Sequence, residues 1–521
     1  MTTTPEHWAF LSVQDTTGVV DFARGLAACG YGIVATPGTR AFLETAHLPV
    51  RPLEEVTGFP LILGGLVKSM HPRILAGIQV DRTSPQALAE CAAHGVIVFD
   101  IVAINFAGYE TSRGRLVSGK GVQVAPLSII RAAAGNYQQV LVVIHPRRYS
   151  EVLEAVRSPE GPSPAFRKNL AKEAWNLIVH YDIMVASAFE EEEETNLPFT
   201  LRREYRRGLK LRYGENPHQE AALYAKPHIL WPCVANARIL RGRAPSYNNI
   251  LDADKGLTLA LEFAASGAVI IKHALPVSAA IGAGIAEAVQ KAFAAEYASR
   301  VGAAVACNGA VDADAAHAIA QPGRSIDLVI ATDFTPEAVE IFETTKNLGE
   351  VRLLKAGTVQ HPAGTGLRRY VTLHHVEGGV LAQTVDTGVY GPGGFHVVSD
   401  REPTDRELID LEFACLVAKH TRSHSTVLSH GGATVAVASI HTSRVESVRV
   451  ALDRAGYRAE GAVMASDSNL FLAEIAPLAD AGIRAVIQTG GDTEEDRLVL
   501  ETCNQRGIAM IVTRMRHFSH L

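Results

Sequence analysis

Ala268-Val269-Ile270-Ile271 is an apolar run that ends on Lys272-His273 and is closed off by Pro276. A short, β-branched apolar stretch bounded by a proline reads as a buried strand. In a chain where strands alternate with helices, such a strand belongs to an α/β sheet. Open sheets of this class bind ligands at the carboxyl ends of their strands, which is where Lys272 and His273 are expected. There they offer a cationic stabiliser and a titratable base. Taken alone, the pair reads as a lysine snorkelling to solvent beside a satisfied core imidazole. Its company along the chain is what lifts it.

The same alternation continues on both sides. Up to about residue 195, the β-rich runs Trp8-Ala9-Phe10-Leu11-Ser12-Val13, Val96-Ile97-Val98-Phe99, Ile101-Val102-Ala103-Ile104 and Val140-Leu141-Val142-Val143-Ile144 are separated by helical patterns, predicting a parallel sheet. From about 200 onward, Leu328-Val329-Ile330, Val435-Ala436-Val437 and Ala485-Val486-Ile487 join 268–271 between alanine-rich helices, predicting two packed α/β subdomains. An acidic run at 190–194, followed by Thr195-Asn196-Leu197-Pro198, marks the boundary. Gly391-Pro392-Gly393-Gly394 reads as a turn-rich connector. No GxGxxG or Walker loop accompanies it, so nucleotide hydrolysis is unsupported.

The 521 residues are 47% hydrophobic and 20% charged, as in soluble chains with extensive cores. A net charge of −6 gives no global signal for nucleic acid or acidic membranes, so an anionic ligand must meet a local basic cluster. The six cysteines are scattered without CxxC spacing and read as reduced core thiols. With no HExxH motif and no zinc-spaced Cys/His cluster, no metal is expected. The N-terminus lacks a basic region followed by an apolar one, and no apolar run approaches the roughly 20 residues of a membrane span. A cytoplasmic protein is expected.

In chain order the sequence carries Leu211-Arg212-Tyr213-Gly214-Glu215-Asn216-Pro217-His218-Gln219, Ser246-Tyr247-Asn248-Asn249-Ile250-Leu251-Asp252-Ala253, the Lys272-His273 dyad, and Arg516-His517-Phe518-Ser519-His520. This ordered set resembles the bifunctional AICAR transformylase/IMP cyclohydrolase family of purine biosynthesis, over nearly the whole chain. The resemblance implies a methylglyoxal-synthase-like domain over 1–195, then a transformylase-like region over 200–521 made of two cytidine-deaminase-like α/β subdomains. It also implies the family's two reactions. The first domain closes formyl-AICAR to IMP, and the second region moves a formyl group from 10-formyltetrahydrofolate to AICAR at a homodimer interface.

Motif by motif, the cyclohydrolase half departs from the family. In SVSDKTG the lysine is Thr16, in GRVKTLHP the arginine is Leu66, and in AAKN the lysine is Gly135. NLYPF becomes Asn105-Phe106-Ala107-Gly108-Tyr109, and IDIGGP becomes Val122-Gln123-Val124-Ala125-Pro126-Leu127, losing the tyrosine and the acid. Ring closure needs an anchored phosphate, an oriented formamide and a proton relay. This half therefore reads as a disabled cyclohydrolase. Ser12, Thr36, Gly38, Thr39, Lys68 and Ser69 remain as a residual anion pocket or as ordinary turn and cap residues, with structural retention the favoured reading.

The transformylase half keeps its chemistry. By resemblance, Arg212 and Arg516 grip the ribotide phosphate, Asn249 and Asp327 orient bound groups, and Tyr213, Phe518 and His520 belong to the substrate site. His273 acts as base toward a weakly nucleophilic aromatic amine, with Lys272 beside the developing oxyanion. The surroundings are altered. KHANPCG has Leu275 for its asparagine, KSN is Arg422-Ser423-His424, GxGAGQxSR is Ala436-Val437-Ala438-Ser439-Ile440-His441-Thr442-Ser443-Arg444, and SDAFFPF, part of the family's folate pocket, is Ser466-Asp467-Ser468-Asn469-Leu470-Phe471-Leu472. DPxSAFGG keeps only Ser299 and Gly302. The expectation is a specialised formyltransferase using 10-formyltetrahydrofolate and an amine-bearing, AICAR-like substrate, as a homodimer without nucleic-acid or membrane partners. The alternatives are ordinary AICAR formylation without cyclisation and a noncatalytic ligand-binding scaffold.

Overall fold

The computed structural model describes residues 5–65, 68–106, 122–190, 197–227, 229, 231–295, 301–357, 371–491 and 493–520. The chain divides into two compact units, 1–204 and 205–521. Each is α/β, as the strand and helix alternation predicts.

The first unit holds five parallel strands, β1 (His7–Val13), β2 (Tyr31–Ala35), β3 (Arg51–Pro52), β4 (Ile101–Asn105) and β5 (Leu141–Val143), in the order β3-β2-β1-β4-β5. Helices pack against this sheet, so its inner strands are unbroken apolar runs. Phe10, Leu11, Ile101, Val102 and Ala103 are fully buried. The strand expected at 96–99 is instead a connection into β4. The amide of Val96 donates to the Cys91 carbonyl and that of Phe99 to Gly77, so helix ends satisfy the backbone that a ladder would otherwise pair. The apolar character of that stretch reflects Phe99, which is buried in the core.

The second unit opens with a hairpin, β6 (Arg206–Lys210) and β7 (Ala222–Ala225). Then follow β8 (Arg238–Arg241), β9 (Ser266–Lys272), β10 (Leu275–Gly282), β11 (Val301–Val311), β12 (Ser325–Phe334) and β13 (Arg352–Lys355). A second hairpin, β14 (Val371–Val376) and β15 (Gly379–Thr384), precedes β16 (His396–Val397), β17 (Thr426–His430), β18 (Ala433–Ala438), β19 (Val463–Ser466), β20 (Ala485–Gln488) and β21 (Ala509–Val512). Both hairpins lie outside the main sheet, whose order is β16-β21-β20-β19-β17-β18-β10-β9-β11-β12-β13-β8.

That order is a duplication. Running outward from β10 and from β18, each half has two antiparallel pairings, two parallel ones and an antiparallel edge strand. The halves meet through β10 and β18, antiparallel, with Ala280 opposite Ala433. Thr434 reinforces the seam, because its Oγ1 accepts from the Ala279 amide at 3.1 Å. Strand side chains alternate between two cores. Val269 and Ile271 face a core shared by both halves, whereas Ala268 and Ile270 face one built from the first, with Ala433 of the second packed against it.

The helices repeat too. Tyr247–Ala260 and Asp405–Lys419 line the shared core, and each begins with a capping box, Ser246 with Asn249 and Thr404 with Glu407. Three residues further along stand Asp252 and Asp410. Beyond these helices, Glu262 of the first half reaches Lys419 at 2.8 Å and His420 at 3.1 Å in the second.

Candidate active site

The β9–β10 hairpin turns on two residues, His273 and Ala274, with φ of 55° and 59°. Its counterpart, the β17–β18 hairpin, turns on Gly431 and Gly432, with φ of 63° and 74°. Both φ values are positive in a two-residue turn of this kind, which is why glycine and asparagine dominate it. The first half instead places an exposed imidazole and a methyl group there, against the steric preference of side chains bearing a Cβ. Lys272, half-buried, closes β9 just ahead of the turn.

An acid holds each turn. Asp252 Oδ1 accepts from the Ala274 amide at 2.6 Å. Asp410 accepts from the amides of Gly431 and Gly432 at 2.8 and 2.6 Å. Burial pushes the Asp252 carboxyl above its ordinary range, with Asp327 adding to the rise, while the Ala274 hydrogen bond and His273 oppose it. Asp252, His273 and Asp327 are thus electrostatic neighbours. Register explains why: Ile271 pairs with Ala304, and Ala304 with Leu328, so the exposed Asp327 stands two strands from Lys272. Asn249, one helical turn before Asp252, is buried, and its Oδ1 accepts from the Ser246 amide at 3.1 Å in the capping box. Arg212 is exposed with its guanidinium 5.4 Å from the Tyr213 ring, in a loop reached by Asn248, whose side chain donates to the Glu215 carbonyl at 3.4 Å.

Lys272 and His273 stand at the carboxyl end of a buried strand, β9, as the sequence reading expects. β9 runs antiparallel to β11, so the hairpin lies beside the amino ends of β11, β12 and β13. Because β10 and β18 are antiparallel, the carboxyl ends of β19, β20 and β21 fall on the same rim as the dyad.

That part of the rim carries the C-terminal residues. Arg516 is exposed, 5.1 Å from the Phe518 ring, which is itself 4.8 Å from His520 and 5.5 Å from His424. Arg444 donates from Nε to His424 Nδ1 at 3.2 Å and lies 4.8 Å from the Phe471 ring. Burial and the Arg444 charge hold His424 below its usual range. A strip of alternating rings and guanidinium groups results, with Phe471 44% and Phe518 37% exposed. The tail is anchored by His517, buried against Asp386 at 2.7 Å and the Val389 carbonyl at 3.2 Å. Ile440, which takes a family glycine's place, keeps a left-handed φ of 68° while half-exposed. For a β-branched residue that conformation is a genuine outlier. Ser299 lies outside the described residues.

In the first unit, Ser12, Thr36 and Thr39 meet at the carboxyl ends of β1 and β2. Thr36 Oγ1 is 3.2 Å from Ser12 Oγ and 3.4 Å from Thr39 Oγ1. Thr39 is occupied with β1, accepting from the Val13 amide at 2.9 Å. Gly38 opens the following helix with clear space around it. Lys68 and Ser69 lie in the loop before the helix Pro72–Gln79, and the hydrogen bonds tying the hydroxyl trio together do not include them. Gly135 ends the helix Ala125–Gly135, also facing clear space, so no steric demand explains the missing lysine. Leu66 and Ala107 lie outside the described residues.

A family model described as AICARFT/IMPCHase bienzyme matches residues 133–454, and one for an MGS-like domain matches residues 18–123. The chain belongs to the AICARFT/IMPCHase bienzyme family. Its relatives include the bifunctional purine biosynthesis protein PurH of Oceanobacillus iheyensis, 36% identical over 98% of this chain and 99% of that protein. The PurH proteins of Rhodopirellula baltica and Brucella abortus are 34% and 37% identical, covering 99% and 98% of this chain and 99% and 97% of their own lengths. A solved structure titled "Crystal structure of ForH" aligns with 35% of this chain and 98% of its own, at 28% identity and a TM-score of 0.33. In this family the first unit is the MGS-like one. Among the described residues no helix is long and apolar enough to cross a membrane.

The motifs legible in the sequence leave Asp252 without a role and do not join Arg444 to His424. A search for internal repeats supplies the missing signal for the acid. Ser246, Asn249 and Asp252 repeat the spacing of Thr404, Glu407 and Asp410.

Proposed function

We propose that this chain is a folate-dependent formyltransferase acting on an amine-bearing, AICAR-like acceptor, with His273 as base and Lys272 as electrostatic partner. The observation that carries this reading is the left-handed His273-Ala274 turn, which the duplicated half makes with two glycines. Strained backbone persists where the surrounding structure over-determines it and function rewards it. His273 takes a proton from the acceptor nitrogen as that nitrogen attacks the formyl carbon, and Lys272 faces the oxygen that gains charge. The bond from that carbon to the donor nitrogen then breaks, and the proton passes to the donor nitrogen.

The folate donor supplies the activated formyl group when bound. The ring and guanidinium strip of Phe471, Arg444, His424 and Phe518 fits a flat aromatic, anionic ligand. Ile440 adds a side chain where the family's glycine leaves backbone accessible, which favours altered contacts to donor or acceptor. Specialisation of the acceptor rests on the same change and on Leu275.

We also propose a homodimeric site. The C-terminal tail runs back from β21, with Thr489 Oγ1 donating to the Met515 carbonyl just past β20 and the His517 amide to the Asp467 carbonyl just past β19, so Arg516 stands four to five strand spacings from Lys272, roughly 19–24 Å at ~4.8 Å per strand. A single ribotide does not bridge that distance, whereas a second copy brings the two groups together. The first unit, 1–195 by sequence, is proposed to lack cyclohydrolase activity, because Thr16, Gln123 and Gly135 replace family motif residues.

The test is a mass-spectrometric screen of the purified protein with 10-formyltetrahydrofolate against AICAR and related aminoazoles. A formylated acceptor is expected. Ligand binding without turnover on any amine would overturn the transferase reading in favour of a scaffold.

A further inference from the structure

We propose that Asp252 is a positioning residue, clamping His273 and Ala274 in their left-handed turn and thereby aiming the His273 imidazole. This deepens the transferase reading and rests on it for its kinetic consequence. The duplicated half offers the comparison. There Asp410 binds both turn amides, at 2.8 and 2.6 Å, although Gly431 and Gly432 adopt positive φ without steric resistance. Asp252 makes one such bond, at 2.6 Å, to a turn whose residues both carry a Cβ. The weaker of the two turns therefore depends on a single acceptor. Loss of that acceptor releases the Ala274 amide and lets φ relax, and relaxation swings the imidazole away.

The acid acts as an acceptor of fixed position, not as a charge. Its Oδ1 holds the Ala274 amide at 2.6 Å, and an asparagine of the same shape presents an oxygen to that amide. Asp252→Asn keeps an oxygen for the Ala274 amide, and Asp252→Ala removes it. Ala274→Gly relaxes the turn without touching either member of the dyad.

The experiment is a double-mutant cycle. Unfolding midpoints are measured for the full-length protein, D252A, A274G and D252A/A274G, with D410A as a control. D252A is expected to lower the midpoint more in the parent than in the A274G background, while the cost of D410A is the same in both. The imidazole NMR resonances of His273 are expected to shift in D252A and to return in D252N. On the acceptor identified by the screen, D252A is expected to lower kcat by about 10²-fold with KM little changed, as misplacement of a reacting group does. D252N is expected to retain most of the activity. Additive midpoints, or equal losses in D252A and D252N, overturn the clamp. Coupled midpoints and a restored D252N imidazole, in a protein that formylates no amine, uphold the clamp and reject the transferase reading instead.

Discussion

Replacing His273 and Ala274 together by glycine converts the β9–β10 turn into the form its twin already has, and it separates two explanations of the dyad. Each residue bearing a Cβ in the left-handed region costs about 1–2 kcal/mol. Histidine sits at the lower end of that range, being among the side chains enriched there. Glycine returns part of this gain, about 0.5–1 kcal/mol per site, through its greater freedom in the unfolded chain. The net expectation is a stabilisation of about 1 kcal/mol for the pair, with the terms spanning about 0–2 kcal/mol. Urea unfolding followed by circular dichroism reads it as a higher midpoint at unchanged slope. Over the same substitution, formyl transfer falls by about 10²–10⁴-fold through loss of the positioned base, and Lys272→Met slows it separately. A lower midpoint would show that the two side chains make stabilising contacts, which would refute the argument that the strain serves catalysis. Retained turnover in both H273G/A274G and K272M would remove the dyad from the catalytic centre.

Ile440→Gly is expected to raise stability by about 1 kcal/mol, measured by the same urea titration, because it relieves a β-branched residue at a φ of 68°. Glu262→Gln is expected to cost about 3–5 kcal/mol by leaving Lys419 buried beside a neutral group. Burial pushes the Glu262 carboxyl up, but hydrogen bonds and charge from His420 and Lys419 outweigh it, holding the group well below its ordinary 4.5. Its stabilisation is therefore complete above about that pH and disappears as acid titrates the folded carboxylate, so E262Q flattens the acid limb of a pH–stability profile. Formyl-AICAR should not be converted to IMP by the purified protein, and robust conversion followed by liquid chromatography would contradict the disabled first unit. Light scattering should report a dimer, and a monomer fully active across dilution would overturn the shared site.

The sequence made the α/β class legible because buried strands such as 101–104 and 268–271 are unbroken apolar runs, a pattern that tertiary packing has little room to override. It failed at 96–99, where the same apolar density serves a connection, since periodicity cannot tell whether a backbone amide meets a strand or a helix end. The dyad was legible as chemistry and as the end of a buried strand, while its place beside the amino ends of β11, β12 and β13 was not. Strand direction is a pairing property, set by β9 running against β11, and nothing in residues 266–272 encodes it. Asp252 was unread for a related reason. An aspartate on a helix is ordinarily a solvated residue, and its meaning emerges only when a hairpin turn some twenty residues later presents an amide to it. The residues around Ile440 were legible as departures from the family, while the left-handed backbone that makes the change costly needed coordinates.

Joining two copies of one fold through antiparallel central strands turns the second copy upside down relative to the first. Equivalent turns then emerge at opposite rims of the sheet. The turn that bears an imidazole at an energetic loss and the turn made of two glycines thus sit on one chain, each at its own rim. A single chain holds the strained and the relaxed form of the same hairpin, and each serves as an internal reference for the other.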